Sequence, residues 1–274
     1  MNRIGFVQGR LVDLVNGKIQ AFPRAEWEIE LDKAFENSIQ YIELTVDLKS
    51  IWENPIASPL GQNYLQKKLL ATNIKPLACT ADFIMQSPPW VGGEHNYNYM
   101  KFLTKEIING LGNINCKLIV IPFVDESSLR DENEQKAIDF LLSLTNVLKN
   151  KNVRVAIESD YKPDKLKFFI EKLPCELFGI NYDIGNSASL GYKHKEEFKA
   201  YFDRIFHIHV KDRVLNGSTV PLGEGNADLP GCFKTIKDYG YIGDFSMQTS
   251  RDNSGKHVEA MLRYIKIIDE LLDK

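Results

Sequence analysis

Eight short apolar runs recur along this chain, near residues 3–7, 40–44, 75–79, 117–122, 153–158, 178–183, 205–210 and 244–248, with helical periodicity between them. A strand sends successive side chains to opposite faces, whereas a helix repeats every 3.6 residues, so the two patterns separate cleanly. The helical spacing is clearest at Ile138, Leu141, Leu142 and Leu148, and again at Val258, Met261, Leu262, Ile265 and Leu272. Pro163 marks one helix start, Asp228 and Pro230 another, and Gly240 a helix end. Eight strands alternating with eight helices predict an α/β protein of the (β/α)8 TIM barrel type. A doubly wound open sheet would carry a glycine-rich phosphate loop after its first strand, but Gln8-Gly9-Arg10 runs into Leu11-Val12-Asp13 with no GxGxxG. No Pro/Gly/Ser-rich or charge-run linker divides the 274 residues, so one barrel domain over 1–274 is expected.

Composition narrows the function. A hydrophobic content of 43% with 26% charged residues suits a large core, and a formal net charge of -3 gives no electrostatic reason to expect nucleic acid as a partner. Met1 to Phe6 enters a strand with no apolar leader pattern, and no membrane span is indicated. Cys79, Cys116, Cys175 and Cys232 lie far apart without CxxC spacing, and are read as buried thiols of a cytoplasmic protein.

The chemistry gathers at strand ends. In Gly179-Ile180-Asn181-Tyr182-Asp183, apolar residues alternate with small or polar ones. In Ile205-Phe206-His207-Ile208-His209-Val210, Phe206, Ile208 and Val210 form the apolar face against His207 and His209. Val153 to Glu158 and Phe245 to Gln248 follow the same grammar. Four strands thus deliver Glu158, Asp183, His209 and Gln248 to one end, and two carboxylates, an imidazole and a carboxamide form a metal-ligand set. Barrel chemistry sits at the C-terminal strand ends, which adds Glu43, Asp82, Asp125 and Arg251 to the mouth. Two long loops, one through Phe83, Met85, Trp90 and His95 and one from Asn216 to Asp228, read as lids, substrate walls or surface excursions. His207, a full repeat below His209, reads as a packing residue.

The ordered set Ile157-Glu158, Tyr182-Asp183-Ile184-Gly185-Asn186, His207-Ile208-His209-Val210-Lys211-Asp212 and Pro221-Leu222-Gly223-Glu224-Gly225 resembles the xylose isomerase-like TIM-barrel superfamily. Within it the chain is similar to sugar (phosphate) isomerases and epimerases, nearest the pentulose-phosphate 3-epimerase branch with its Asp-x-Gly-Asn and His-x-Lys-Asp segments. The resemblance implies a divalent metal on Glu158, Asp183, His209 and the eighth-strand residue, acting on a ketose or ketose phosphate through an enediolate. Mn²⁺, Mg²⁺ or Co²⁺ suits such oxygen-rich ligation, and Zn²⁺ is a further option. It also implies substrate contacts at Asn186, Lys211 and Glu224, with Glu43 toward a sugar hydroxyl and Arg251 or Arg10 toward an anionic group. Relatives often dimerise through barrel faces, which leaves a homo-oligomer open.

One departure stands out. The family's eighth-strand glutamate is Gln248 here, and a carboxamide lends an oxygen to a metal but accepts no proton. Glu158 is then the expected base. The alternatives are a catalytically altered or inactive sugar-binding barrel, and an inosose dehydratase-like lyase. The related endonuclease IV cluster needs histidines where this chain has Glu43, Cys79-Thr80, Asn186 and Asp228-Leu229-Pro230, so a nuclease is not expected.

Overall fold

The computed structural model describes residues 2–49 and 51–273; Met1, where the opening strand was expected to be entered, lies outside the described residues. Eight parallel strands close a barrel: β1 (Ile4–Val7), β2 (Tyr41–Thr45), β3 (Lys75–Thr80), β4 (Leu118–Phe123), β5 (Arg154–Ser159), β6 (Phe178–Asp183), β7 (Ile205–Val210) and β10 (Asp244–Met247). Around the barrel they run β1-β10-β7-β6-β5-β4-β3-β2. A two-residue pair, β8 (Asp212–Arg213) and β9 (Thr219–Val220), forms an antiparallel ribbon in the connection to β10.

Helices cover the outside as the periodicity requires. Ile138, Leu141 and Leu148 are buried, but they belong to two helices, Asp131–Leu142 and Thr145–Lys151. Pro163 opens the helix Pro163–Ile170, and Asp228 caps Leu229–Asp238 by accepting from Gly231 N at 3.0 Å. Among the described residues, no helix is long and apolar enough to cross a membrane.

The core has two layers. Ile119, Ile121, Val155, Ile157, Ile180 and Ile208 belong to the large cluster that includes the surrounding helices' buried residues. Ala78, Leu118, Val120 and Ala156 form a small separate cluster in register below Thr80, Pro122 and Glu158, and so plug the barrel interior beneath the mouth. Phe206 packs against this inner cluster instead of sharing the face of Ile208 and Val210. A register shift between β6 and β7 at Ile180/Asn181 breaks the alternation there.

The loop after β3 is not an open excursion. It begins with the short helix Asp82–Gln86, and Phe83 and Trp90 are fully buried, with Trp90 edge-on to Phe123 at 4.7 Å between ring centroids. The cysteines also differ from expectation in one place: all four are free, but Cys175 is exposed because it lies in the turn before β6.

Candidate functional site

A cavity of about 590 Å³, with mostly polar and charged residues along its wall, opens at the C-terminal end of the barrel. Glu158 near the end of β5, Lys211 after β7 and Gln248 after β10 line it. Asp183, the last residue of β6, and His209 on β7 are buried nearby. One ligand atom each from Glu158, Asp183 and His209 lie within 4.8 Å of one another. His209 Nδ1 is 3.1 Å from Glu158 Oε2 and 3.8 Å from Asp183 Oδ2. On the other edge of the ring, Nε2 sits 2.9 and 3.0 Å from the two oxygens of Glu43. A carboxylate only accepts, so Nε2 carries a proton and Nδ1 is the nitrogen turned to the acidic pair.

The donor set fits a divalent cation. His209 Nδ1 and Asp183 Oδ2 are buried without an aligned hydrogen bond, although charged groups surround both. Burial opposes a charged imidazole at position 209, yet Glu43, Asp183 and Glu158 outweigh it and hold the group well above its ordinary value. Burial likewise opposes the Asp183 carboxylate, and Lys211 and His209 pull it below its ordinary value nonetheless. A second possible grouping, Glu43, His207 and His209, is already satisfied: His207 Nε2 meets Glu43 at 3.0 Å and Ser246 Oγ at 2.8 Å.

Lys211 bridges this floor, its ammonium 2.8 Å from Asp183 Oδ2 and 2.7 Å from Gln248 Oε1. The position of its side chain depends on Gly185, where an added Cβ would lie 2.3 Å from Lys211 Cγ.

Residues 31–268 match the xylose isomerase-like TIM barrel family. The chain belongs to this family. It is 33% identical over 88 residues to the L-ribulose-5-phosphate 3-epimerase UlaE of Shigella boydii serotype 18, a match spanning 30% of this chain and 31% of that protein. The chain thus spans about a third of the length of the curated relative it matches. Among solved structures, that of L-ribulose 3-epimerase is similar at a TM-score of 0.77 and 13% identity, covering all of this chain and 95% of the other. The IOLI protein, solved with a zinc atom, is similar at 0.75 and 16% identity over 98% of both chains.

In this xylose isomerase-like barrel, several side chains stand elsewhere than the motifs suggested. Glu43, expected at a sugar hydroxyl, is fully buried; it accepts from Thr80 Oγ1 and meets both histidines. Burial alone would raise its carboxyl, but His209 and His207 hold it well below its ordinary value. Asn186 lines the cavity, but its amide is committed at both ends: Nδ2 donates to Glu158 Oε1 at 2.6 Å, and Oδ1 accepts from Arg213 at 2.7 Å. Those partners set the amide orientation without ambiguity and make Asn186 a brace for Glu158. Arg251, expected to meet an anion, donates to the carbonyls of Val12 and Ile19 at 3.0 and 2.7 Å, outside the cavity lining. Glu224 is exposed and also outside the lining, because Asp212 holds its turn through backbone N–H groups instead.

Sequence reasoning missed Asn181 and Arg213 and gave Asp82 no role. Asn181 donates to Glu158 Oε2 at 2.9 Å, so both oxygens of that carboxylate are braced by asparagines. Its place one repeat below Asp183 was the available signal. Arg213, three residues past β7 and the second residue of β8, is held by Gly217 O as well as Asn186, which no local pattern reveals. Arg10 completes the far wall. It is buried, donates to Ile19 O and Gln20 Oε1 at 2.7 Å each, and burial with neighbouring Arg251 lowers its guanidinium to about 9, still a cation at neutral pH.

Proposed function

We propose that this chain is a divalent-metal-dependent isomerase or epimerase of a ketose or ketose phosphate, working through an enediolate. The observation that carries the reading is the convergence of Glu158, Asp183 and His209 donors within 4.8 Å of one another, beside the cavity that Glu158 lines, with Glu43 gripping the far nitrogen of His209. Glu158, Asp183 and His209 would hold the cation, with the amide oxygen of Gln248 as a fourth donor. Mn²⁺, Mg²⁺ and Co²⁺ suit this set, and the zinc of the IOLI structure adds Zn²⁺. A bound cation supplies electrostatic stabilisation for negative charge developing on the substrate oxygens.

The protein's own groups do the rest. Glu158 takes the proton from the carbon beside the carbonyl, its two oxygens aimed by Asn181 and Asn186. Arg213 fixes Asn186 and so keeps Glu158 in one orientation. Lys211 and Arg10 present positive charge to hydroxyl or phosphate oxygens from two sides of the cavity. A cavity of about 590 Å³ has room for a sugar and its water.

The test is solvent deuterium incorporation into a panel of ketoses and ketose phosphates, followed by NMR with metal-stripped and Mn²⁺-loaded protein. Metal-dependent exchange at the carbon beside the carbonyl is expected. Sugar binding that ignores metal, with no exchange from any substrate, would overturn the reading in favour of a binding barrel.

A further inference from the structure

An enzyme that inverts a carbon through an enediolate needs a proton-moving group on each side of that carbon, and Gln248 cannot be the second one. Four carboxyl groups line the cavity: Glu158, Asp82, Asp125 and Asp160. Asp125 is exposed, and Asp160 is half-buried beside Ser128. Asp82 differs from both. It stands two residues past β3, is 4% exposed, and its Oδ2 is buried with no hydrogen-bond partner. Gln20 and Arg10 lie beside it on the same wall.

The barrel order gives the two groups separate walls. Glu158 comes from β5 and Asp82 from just past β3, with β4 between them, so the two carboxyl groups enter the cavity from different strands about a quarter of the barrel apart. Resting on the isomerase or epimerase reading, we propose that Asp82 is the second proton-transfer group, delivering a proton to the substrate carbon from the cavity wall beyond β3. Burial, reinforced by Asp47, pushes the Asp82 carboxyl well above its ordinary value, so the group enters the cycle protonated.

The step balances without a further reactant. Glu158 removes the carbon-bound proton, and the C–H electron pair moves into the enediolate. The pair returns to the same carbon, which takes the proton from Asp82 as the Asp82 O–H bond breaks and a C–H bond forms on the other face. Glu158 ends protonated and Asp82 ionised; one proton lost to and one gained from cavity water resets them.

The experiment compares the wild-type holoenzyme with Asp82→Asn and Asp82→Glu in D2O, scoring label returned to the starting ketose separately from label in the epimer. Asp82→Asn is expected to keep metal-dependent exchange into the starting sugar and an unchanged KM, while epimer formation falls about 100-fold or more. Asp82→Glu is expected to restore part of the epimer. Thermal melting confirms that each variant is folded. Undiminished epimer formation by Asp82→Asn overturns the assignment, and so does joint loss of exchange and epimer, which places the residue at binding or abstraction. A wild-type product that is an aldose overturns it too, since one base suffices for that reaction. Absence of exchange in the wild type overturns both this assignment and the reading beneath it, and so differs from failure of Asp82 alone.

Discussion

His209 shows how a single imidazole is prepared for its place. Its Nε2 is held by Glu43, itself tied to His207 and Thr80, and its Nδ1 is left facing Glu158 and Asp183. A carboxylate behind a ligating histidine sets the tautomer and raises its basicity, and losing such a partner costs about 10–100-fold in metal affinity. Glu43→Gln is therefore expected to weaken Mn²⁺ binding by about that factor, measured by calorimetric titration, while the cavity lining keeps its residues because Glu43 is not among them. An unchanged metal affinity would show that Glu43 is a packing partner only. Glu43's residue type and strand-end position were legible in the sequence, but its role was not: its histidine partners are 164 and 166 residues away.

At the scale of elements, two connections are built around one buried carboxylate each. Asp212 accepts from the backbone N–H groups of Gly223, Gly225 and Ala227 at 2.9, 2.9 and 3.0 Å, which pins the loop beyond the β8–β9 ribbon. Gly225 is required there, since an added Cβ would lie 2.1 Å from Asp212 Oδ1. Asp212→Ala leaves three donors without their acceptor, at about 1–3 kcal/mol for each that stays buried, and is expected to make residues 216–228 far more sensitive to limited proteolysis. An unchanged cleavage rate would mean that the ribbon holds the loop unaided. Glu30 plays the corresponding part after β1, accepting from Gly9 N and Leu11 N at 2.7 and 3.0 Å and so fixing the turn that carries Arg10. Burial pushes its carboxyl up to about 7 against those bonds. Its folded value lies above the unfolded one, so the folded state binds more protons and this group's contribution to stability falls as pH rises from about 4.5 to about 7. Denaturant unfolding of wild type and Glu30→Gln at pH 5 and pH 8 is expected to show the variant gaining on the wild type at the higher pH; a constant difference would refute the shift.

For the whole molecule, the strands that carry Glu158, Asp183 and His209 are separate in sequence and meet only when the barrel closes, so a cation bound across them would oppose unfolding. Mn²⁺ at about 100 times its Kd is expected to add about 2.7 kcal/mol to wild-type stability, read as a rise in Tm that Asp183→Ala abolishes. An equal rise in that variant would place the metal elsewhere. The alternation of strand and helix, and the polar residues that end the strands, were legible along the chain because period and chemical type are local properties. Glu158, Asp183, His209 and Gln248 were singled out in this way, and the structure gathers one side-chain donor atom from each of the first three within 4.8 Å. What periodicity does not carry is the partner of each side chain across the barrel. Phe206 turns inward through a register shift, Asn186 braces a carboxylate 28 residues before it, Lys211 spans Asp183 and Gln248, and Asp82 is left with an unpaired oxygen in the cavity wall. Those outcomes follow from closure, which sets distances between strands remote in sequence and removes water from between them, and hence decides which polar groups are satisfied and which are left for a ligand.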